Sequence, residues 1–143
     1  MLEFIAGVMA VTMVTEPGSE ADVFGNWFTP RRDSVIEIYD CGDETPCGRV
    51  IWMIDDQTGE TLDTQNRDPD LRDRSILGMV LLEDFEPHDK GWTNGDIYNP
   101  EDGRTYRAKL KRLDDGTLEV KGCMGPICKG QVWLPAVKKT EPE

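Results

Sequence analysis

Cys41-Gly42-Asp43-Glu44-Thr45-Pro46-Cys47-Gly48-Arg49-Val50-Ile51-Trp52-Met53-Ile54 is a cysteine-closed turn that runs straight into an apolar strand. Near the C-terminus, Gly122-Cys123-Met124-Gly125-Pro126-Ile127-Cys128-Lys129-Gly130-Gln131-Val132-Trp133-Leu134 repeats the same order of parts. Two cysteines a few residues apart, then a strand bearing a tryptophan, read as two stapled corners of one β-barrel. Four cysteines allow three pairings. The short-range one, Cys41–Cys47 with Cys123–Cys128, is expected, each bridge contributing about 2–3 kcal/mol by closing a short loop. These spacings do not form the paired knuckles that hold zinc, and a Cys-x-x-Cys redox motif is absent.

Outward from these corners the chain reads as short strands separated by Gly, Pro, Asn and Asp. Expected strands are 23–29, 34–39, 49–54, 76–85, 92–98, 104–113, 117–123 and 131–134. The 49–54 run is apolar on both faces and is expected to lie deep. Its parity is ambiguous, because Val50, Trp52 and Ile54 compete with Ile51 and Met53 for the inside. Gly78 marks a bulge or a close approach. Asn99-Pro100-Glu101-Asp102-Gly103 and Asp114-Asp115-Gly116 are tight hairpin turns. Beyond the first of these, Tyr106, Ala108 and Leu110 alternate with Arg107, Lys109 and Lys111. Residues 55–75 have no apolar period and read as a loop with one short helical turn, the natural lid of a barrel. The fold class is therefore all-β, an antiparallel up-and-down barrel of about eight strands. An open sandwich is the alternative.

Composition bounds the function. A chain of 143 residues is one domain with a buried core. Its 28 acidic against 16 basic residues, net −12, repel nucleic acid and anionic headgroups, so no nucleic-acid partner is expected. Phe4 to Val14 has the length of a signal-peptide apolar region and is too short for a membrane span. Ser19-Glu20-Ala21 places small residues where a signal peptidase reads, although Glu3 stands where a basic start is usual. A short N-terminal helix packed on the domain is the other reading. The expected organisation is a signal peptide over 1–21, a barrel domain over 22–137 and a polar tail over 138–143. Paired cysteines in an exported chain place it in the periplasm or outside the cell.

The residues also resemble the bacterial domain-of-unknown-function 2147 family. The resemblance rests on Gly25-x-Trp27, Val35-x-x-Ile38-Tyr39-x-Cys41-Gly42, and Cys47-Gly48-Arg49-Val50-Ile51-Trp52. It continues through Asp63-x-x-Asn66-x-Asp68, Arg72-x-Arg74, Leu77-Gly78 and Gly95-x-Ile97-Tyr98-x-Pro100-x-x-Gly103-x-x-Tyr106. The last pieces are Leu118-x-Val120-x-Gly122-Cys123-x-Gly125 with Cys128, and Gln131-x-Trp133. Ser75 departs from it, where a Pro commonly follows. Membership implies a small exported bacterial protein with a lipocalin-like barrel and no assigned activity. Gly25-Asn26-Trp27 is also similar to the Gly-x-Trp of lipocalins and avidins. That similarity makes Trp27 the plug of the barrel's bottom, covered by a basic residue from the last strand, for which Lys129 is the nearest candidate.

Candidate chemistry is sparse. His88, the one histidine, sits in an acidic turn, and no catalytic set, metal ligands or cofactor motif emerge. The acidic loop could offer oxygen ligands to Ca²⁺, but it lacks the EF-hand spacing. Asp63, Asn66, Asp68, Arg72 and Arg74 read better as a self-paired polar loop. The leading reading is a barrel that binds a small apolar or amphipathic ligand, with Trp52 and Tyr106 on the wall and Asn66 and Arg72 at the mouth. A solid interaction module that meets a partner through its outer face comes second, and an enzyme third. Oligomeric state is not legible.

Overall fold

The computed structural model describes residues 20–136, so all but Glu20 and Ala21 of the expected export signal over 1–21, and the whole of the expected tail over 138–143, lie outside the described residues. Its strands are β1 Gly25–Phe28, β2 Ser34–Asp40, β3 Pro46–Met53, β4 Val80–Glu83, β5 Glu86–His88, β6 Gly91–Asn99, β7 Arg104–Arg112, β8 Leu118–Met124 and β9 Ile127–Pro135. Every pairing is antiparallel. The sheet order β4-β3-β2-β1-β9-β8-β7-β6, with β4 pairing back onto β6, closes an eight-stranded barrel to which β5 is a short annex. The open sandwich is excluded by that closure.

Local sequence explains the strands. Ala108 and Leu110 on β7, and Leu118 and Val120 on β8, are buried, while Lys109 between the first two is exposed. This period of two faces one side of each strand to the core. The β6–β7 turn needs Gly103 at φ 72, and its amide donates to the Asn99 carbonyl at 2.8 Å. At the β7–β8 turn, the Leu113 amide donates to the Thr117 carbonyl at 2.9 Å, and Asp115 accepts from the Thr117 amide at 3.0 Å.

Three expectations are corrected. The single strand over 76–85 shrinks to β4: residues 76–79 form a turn in which the Met79 amide donates to the Ile76 carbonyl at 3.0 Å, and Asp84 at φ 67 ends the strand just before buried Phe85. His88 consequently belongs to β5 rather than to a turn. The 49–54 run does not lie deep throughout: Val50 is buried, but Ile51 and Ile54 are 40% and 52% exposed. The cause is a register slip. Ile36 faces Val50 and Val35 faces Trp52, so Ile51 is an extra bulged residue and Trp52 shares the outer face of Val35. Gly78 makes no close approach; it is required for its φ of 91, from which its amide donates to the Val50 carbonyl at 2.7 Å.

The barrel is filled. A Cβ on Gly48 would come within 2.7 Å of Leu82 Cδ1 and 3.2 Å of Ile36 Cγ2, and one on Gly95 would overlap the Phe85 ring. Trp27, Ile36, Ile38, Val50, Leu82, Leu110, Leu118, Val120 and Trp133 complete one buried cluster.

Up-and-down topology sorts the connections to two ends. At one end the segment Glu20–Val23 straps the barrel shut. Its carbonyls accept from the Arg112 amide (Glu20), the Trp92 indole (Ala21) and the Trp27 indole (Val23), each at 2.9 Å. The cation over Trp27 is Arg112 from the end of β7, 5.9 Å from the ring, and not Lys129, which is exposed near the Cys123–Cys128 corner at the other end. The two disulfides occupy opposite ends. Cys41–Cys47 closes the β2–β3 turn with Cα atoms 5.3 Å apart, whereas Cys123–Cys128 joins directly opposed residues of β8 and β9 beside the open end.

Candidate functional site

The segment between β3 and β4 dominates the open end, and buried carboxylates hold its shape. Asp56 is a hub whose Oδ1 accepts from the amides of Thr58, Gly59 and Glu60, and whose Oδ2 accepts from the Thr61 amide at 2.6 Å. The Thr61 amide, ahead of the others, holds its carboxyl well below the usual carboxylate range against the opposing effect of burial. A single bridge, Leu62 to Ser75, then closes the base of the loop.

Asp63 fastens the loop to the barrel wall. It is fully buried and accepts from the Tyr98 hydroxyl at 2.7 Å, Asn66 Nδ2 at 2.8 Å and Arg74 Nε at 3.1 Å. Tyr98 comes from β6, and the Arg74 guanidinium lies 5.5 Å over its ring. Burial first, then the hydrogen bond and charge of Asp63, push the Tyr98 hydroxyl up to about 12. Asn66 Oδ1 in turn accepts from the Asp68 amide at 2.8 Å, and Arg72 Nε donates to the Asn66 carbonyl at 2.7 Å. Asp68 caps the short 3-10 turn Pro69–Leu71. A second anchor is steric: a Cβ on Gly103 would overlap the Gln65 carbonyl, so the β6–β7 turn and the loop meet backbone to backbone. Beside it the Tyr106 hydroxyl donates to Asp102, and that hydrogen bond raises the Tyr106 pKa.

Between this overhanging loop and the open-end halves of β4, β6, β7 and β8 lies an open depression of about 1060 Å³. Asn66, Arg67, Leu71 and Arg74 form the overhang, Tyr98, Arg104, Tyr106 and Arg107 the floor, and Met124 of the stapled corner one rim. Of the four residues expected to shape a ligand site, Asn66 and Tyr106 line this depression. Arg72 stands behind it, holding the Asn66 carbonyl. Trp52 is elsewhere, packed edge-on against Phe28 at 6.3 Å on the outer wall, because the β3 bulge turns it away from the interior. Trp27 is 3% exposed in the core at the strapped end. The expected self-pairing of Asp63 with Asn66 and Arg74 is present, but sequence reasoning left out Tyr98 as the partner that makes Asp63 an anchor to the wall. Both sit in the quoted pattern, but only the fold brings them together across 35 positions. Among the described residues no group of three or more His, Cys, Asp or Glu side chains could hold a metal ion.

A closed eight-stranded antiparallel barrel, plugged at one end by the Trp of a Gly-x-Trp strand and overhung by a loop at the other, is a lipocalin-like barrel. The chain belongs to the family described as "Uncharacterized protein conserved in bacteria (DUF2147)", whose model matches residues 25–134. Among solved structures it is similar to one described as "Protein HP1028 from the human pathogen Helicobacter pylori belongs to the lipocalin family". That likeness has a TM-score of 0.70 and 24% identity, covers 82% of this chain and 84% of the other, and shows the shared fold. No curated protein matches the chain.

Proposed function

We propose that this protein binds a small amphipathic molecule in the bacterial cell envelope, and that it does so at the open-end depression rather than inside the barrel. One contrast carries the reading: the interior is filled to the point that Gly48 has no room for a methyl, while an open space of about 1060 Å³ lies beside it. Two disulfides favour an oxidising compartment, which supports export. Native mass spectrometry of protein purified from its own host tests this. A bound small molecule that disappears in Thr105→Trp, a substitution at an exposed lining position, is the expected result. A mass equal to the bare polypeptide would contradict it.

A second reading, a protein-interaction module, rests on a different observation. Half-buried Leu134, Phe28 and Trp52 stand side by side with buried Val35 on the outer face of four neighbouring strands, and exposed Val132 and Ile51 lie beside them. Such a row is the kind of surface a protein partner covers. Cross-linking in the host from a photoreactive residue at exposed Val132 distinguishes the two readings: a captured protein favours the interaction module and its absence the ligand site.

A further inference from the structure

We propose that the open-end depression selects anionic amphiphiles, its arginines receiving a phosphate or carboxylate head while Leu71, Val80 and Met124 take the apolar part. This deepens the proposed function and rests on it. The first support is charge placement. In a chain of net charge −12, four arginines, Arg67, Arg74, Arg104 and Arg107, line one depression against three acids, Asp68, Glu83 and Asp96. Asp63 offsets Arg74, and Asp102 stands beside Arg67 and Arg104, so the charges there come close to balance where the chain as a whole is strongly negative, and an anion meets far less repulsion at this place than elsewhere.

The second support is how little of that donor capacity the protein itself uses. Arg74 is committed to Asp63. Arg67 makes one long hydrogen bond, Nε to the Asp102 carbonyl at 3.4 Å. Arg107 makes one at 3.3 Å to the Asn94 carbonyl and stands 3.7 Å from Asp96. Among the described residues the Arg104 guanidinium has neither a hydrogen bond nor an ion pair. Each guanidinium presents a planar fork of donors suited to two oxygens of one phosphate or carboxylate. Asp68 caps the short 3-10 turn, accepting from the Asp70 amide at 3.0 Å, and forms no ion pair with these arginines. Glu83 is directly opposite Asp96, and burial, followed by Asp84 and Asp96, raises its pKa.

The third support is the apolar half. Leu71, Val80 and Met124 are exposed by 39%, 37% and 58%, and all three line this depression. A charged fork beside exposed aliphatic side chains matches a ligand with one charged end and a short chain.

Calorimetric titration with octyl phosphate, octanoate, octanol and inorganic phosphate below micellar concentrations tests the inference, with the circular-dichroism melt of each variant as a check of folding. At least one of the two anionic amphiphiles is expected to bind about tenfold or more tighter than octanol and inorganic phosphate, and the stronger of the two identifies the head group. Removing charge-assisted hydrogen bonds in Arg67→Ala/Arg104→Ala is expected to weaken that binding about tenfold or more. If the double variant loses its melt, exposed Arg107→Ala alone should still weaken binding and flatten its salt dependence. Octanol binding as tightly as the anions would overturn the anionic head and leave the amphipathic reading standing. Inorganic phosphate binding as tightly would overturn the role of the apolar residues. Failure of every amphiphile would overturn the ligand site itself.

Discussion

Replacing Asp63 by alanine removes the one carboxylate that ties the long loop to the barrel. It accepts from the Tyr98 hydroxyl at 2.7 Å, Asn66 at 2.8 Å and Arg74 at 3.1 Å, with no exposed surface of its own. A hydrogen bond to a charged group contributes about 1.5–3 kcal/mol, and an orphaned buried donor adds its desolvation cost. The Arg74 side chain is 41% exposed, so water replaces much of its share and its pair is discounted. Tyr98 and Asn66 remain, and Asp63→Ala is expected to cost about 3–4 kcal/mol, or roughly 10–15 °C in Tm for a domain of this size. Asp63→Asn should cost only about 1–2 kcal/mol. Its amide oxygen can face Asn66 and Arg74 while its NH₂ donates to the Tyr98 hydroxyl, which then acts as acceptor. Urea unfolding followed by tryptophan fluorescence measures both, with an unchanged m value showing that the unfolded state is the same. An Asp63→Ala protein within about 1 kcal/mol of wild type would refute the anchor, as would an Asn variant no better than the Ala one.

Other consequences are as direct. Tyr98 holds its proton to about 12 when folded but to about 10 when unfolded, so its contribution to stability is complete below pH 10 and lost as pH rises from 10 to 12. Tyr98→Phe should flatten that part of a stability-versus-pH curve. Asp56 behaves oppositely: its depressed carboxyl contributes stability above the ordinary carboxylate range, lost as pH falls below about 4, and Asp56→Asn should reduce that acid sensitivity. Cys123→Ala/Cys128→Ala should lower stability by about 2 kcal/mol through loop closure, read by denaturant unfolding, and the intact protein should weigh two hydrogens less per bridge than its reduced form. Arg112→Ala should cost about 1–2 kcal/mol and shift Trp27 emission, because the cation over the ring and the ties to Asp22 are lost together.

What the sequence revealed was mostly local. Asn99–Gly103 and Asp114–Gly116 announce their turns because positive φ and Asx acceptors are properties of a few adjacent residues. The cysteine corners are legible for the same reason, and the alternation in β7 and β8 shows which side faces inward. The bulge at Ile51 was not legible. Both parities of 49–54 are apolar, and only the slip against β2 decides that Val50 points in and Trp52 out. Arg112 over Trp27 was equally hidden: the last strand does end beside Trp27, at Pro135, but its Lys129 lies at the opposite end, and the cation comes instead from the end of β7. The depression depends on contacts between distant segments, Asp63 with Tyr98 and Gln65 with Gly103, which no local pattern encodes.

The most direct test of where a ligand sits is a ¹H–¹⁵N correlation spectrum recorded during titration with octyl phosphate. The account predicts progressive shifts of Arg67, Thr105, Arg107 and Met124 at the open end, with Val50, Leu110 and Val120 in the filled core unmoved. Shifts concentrated on the core residues, with the depression silent, would contradict it.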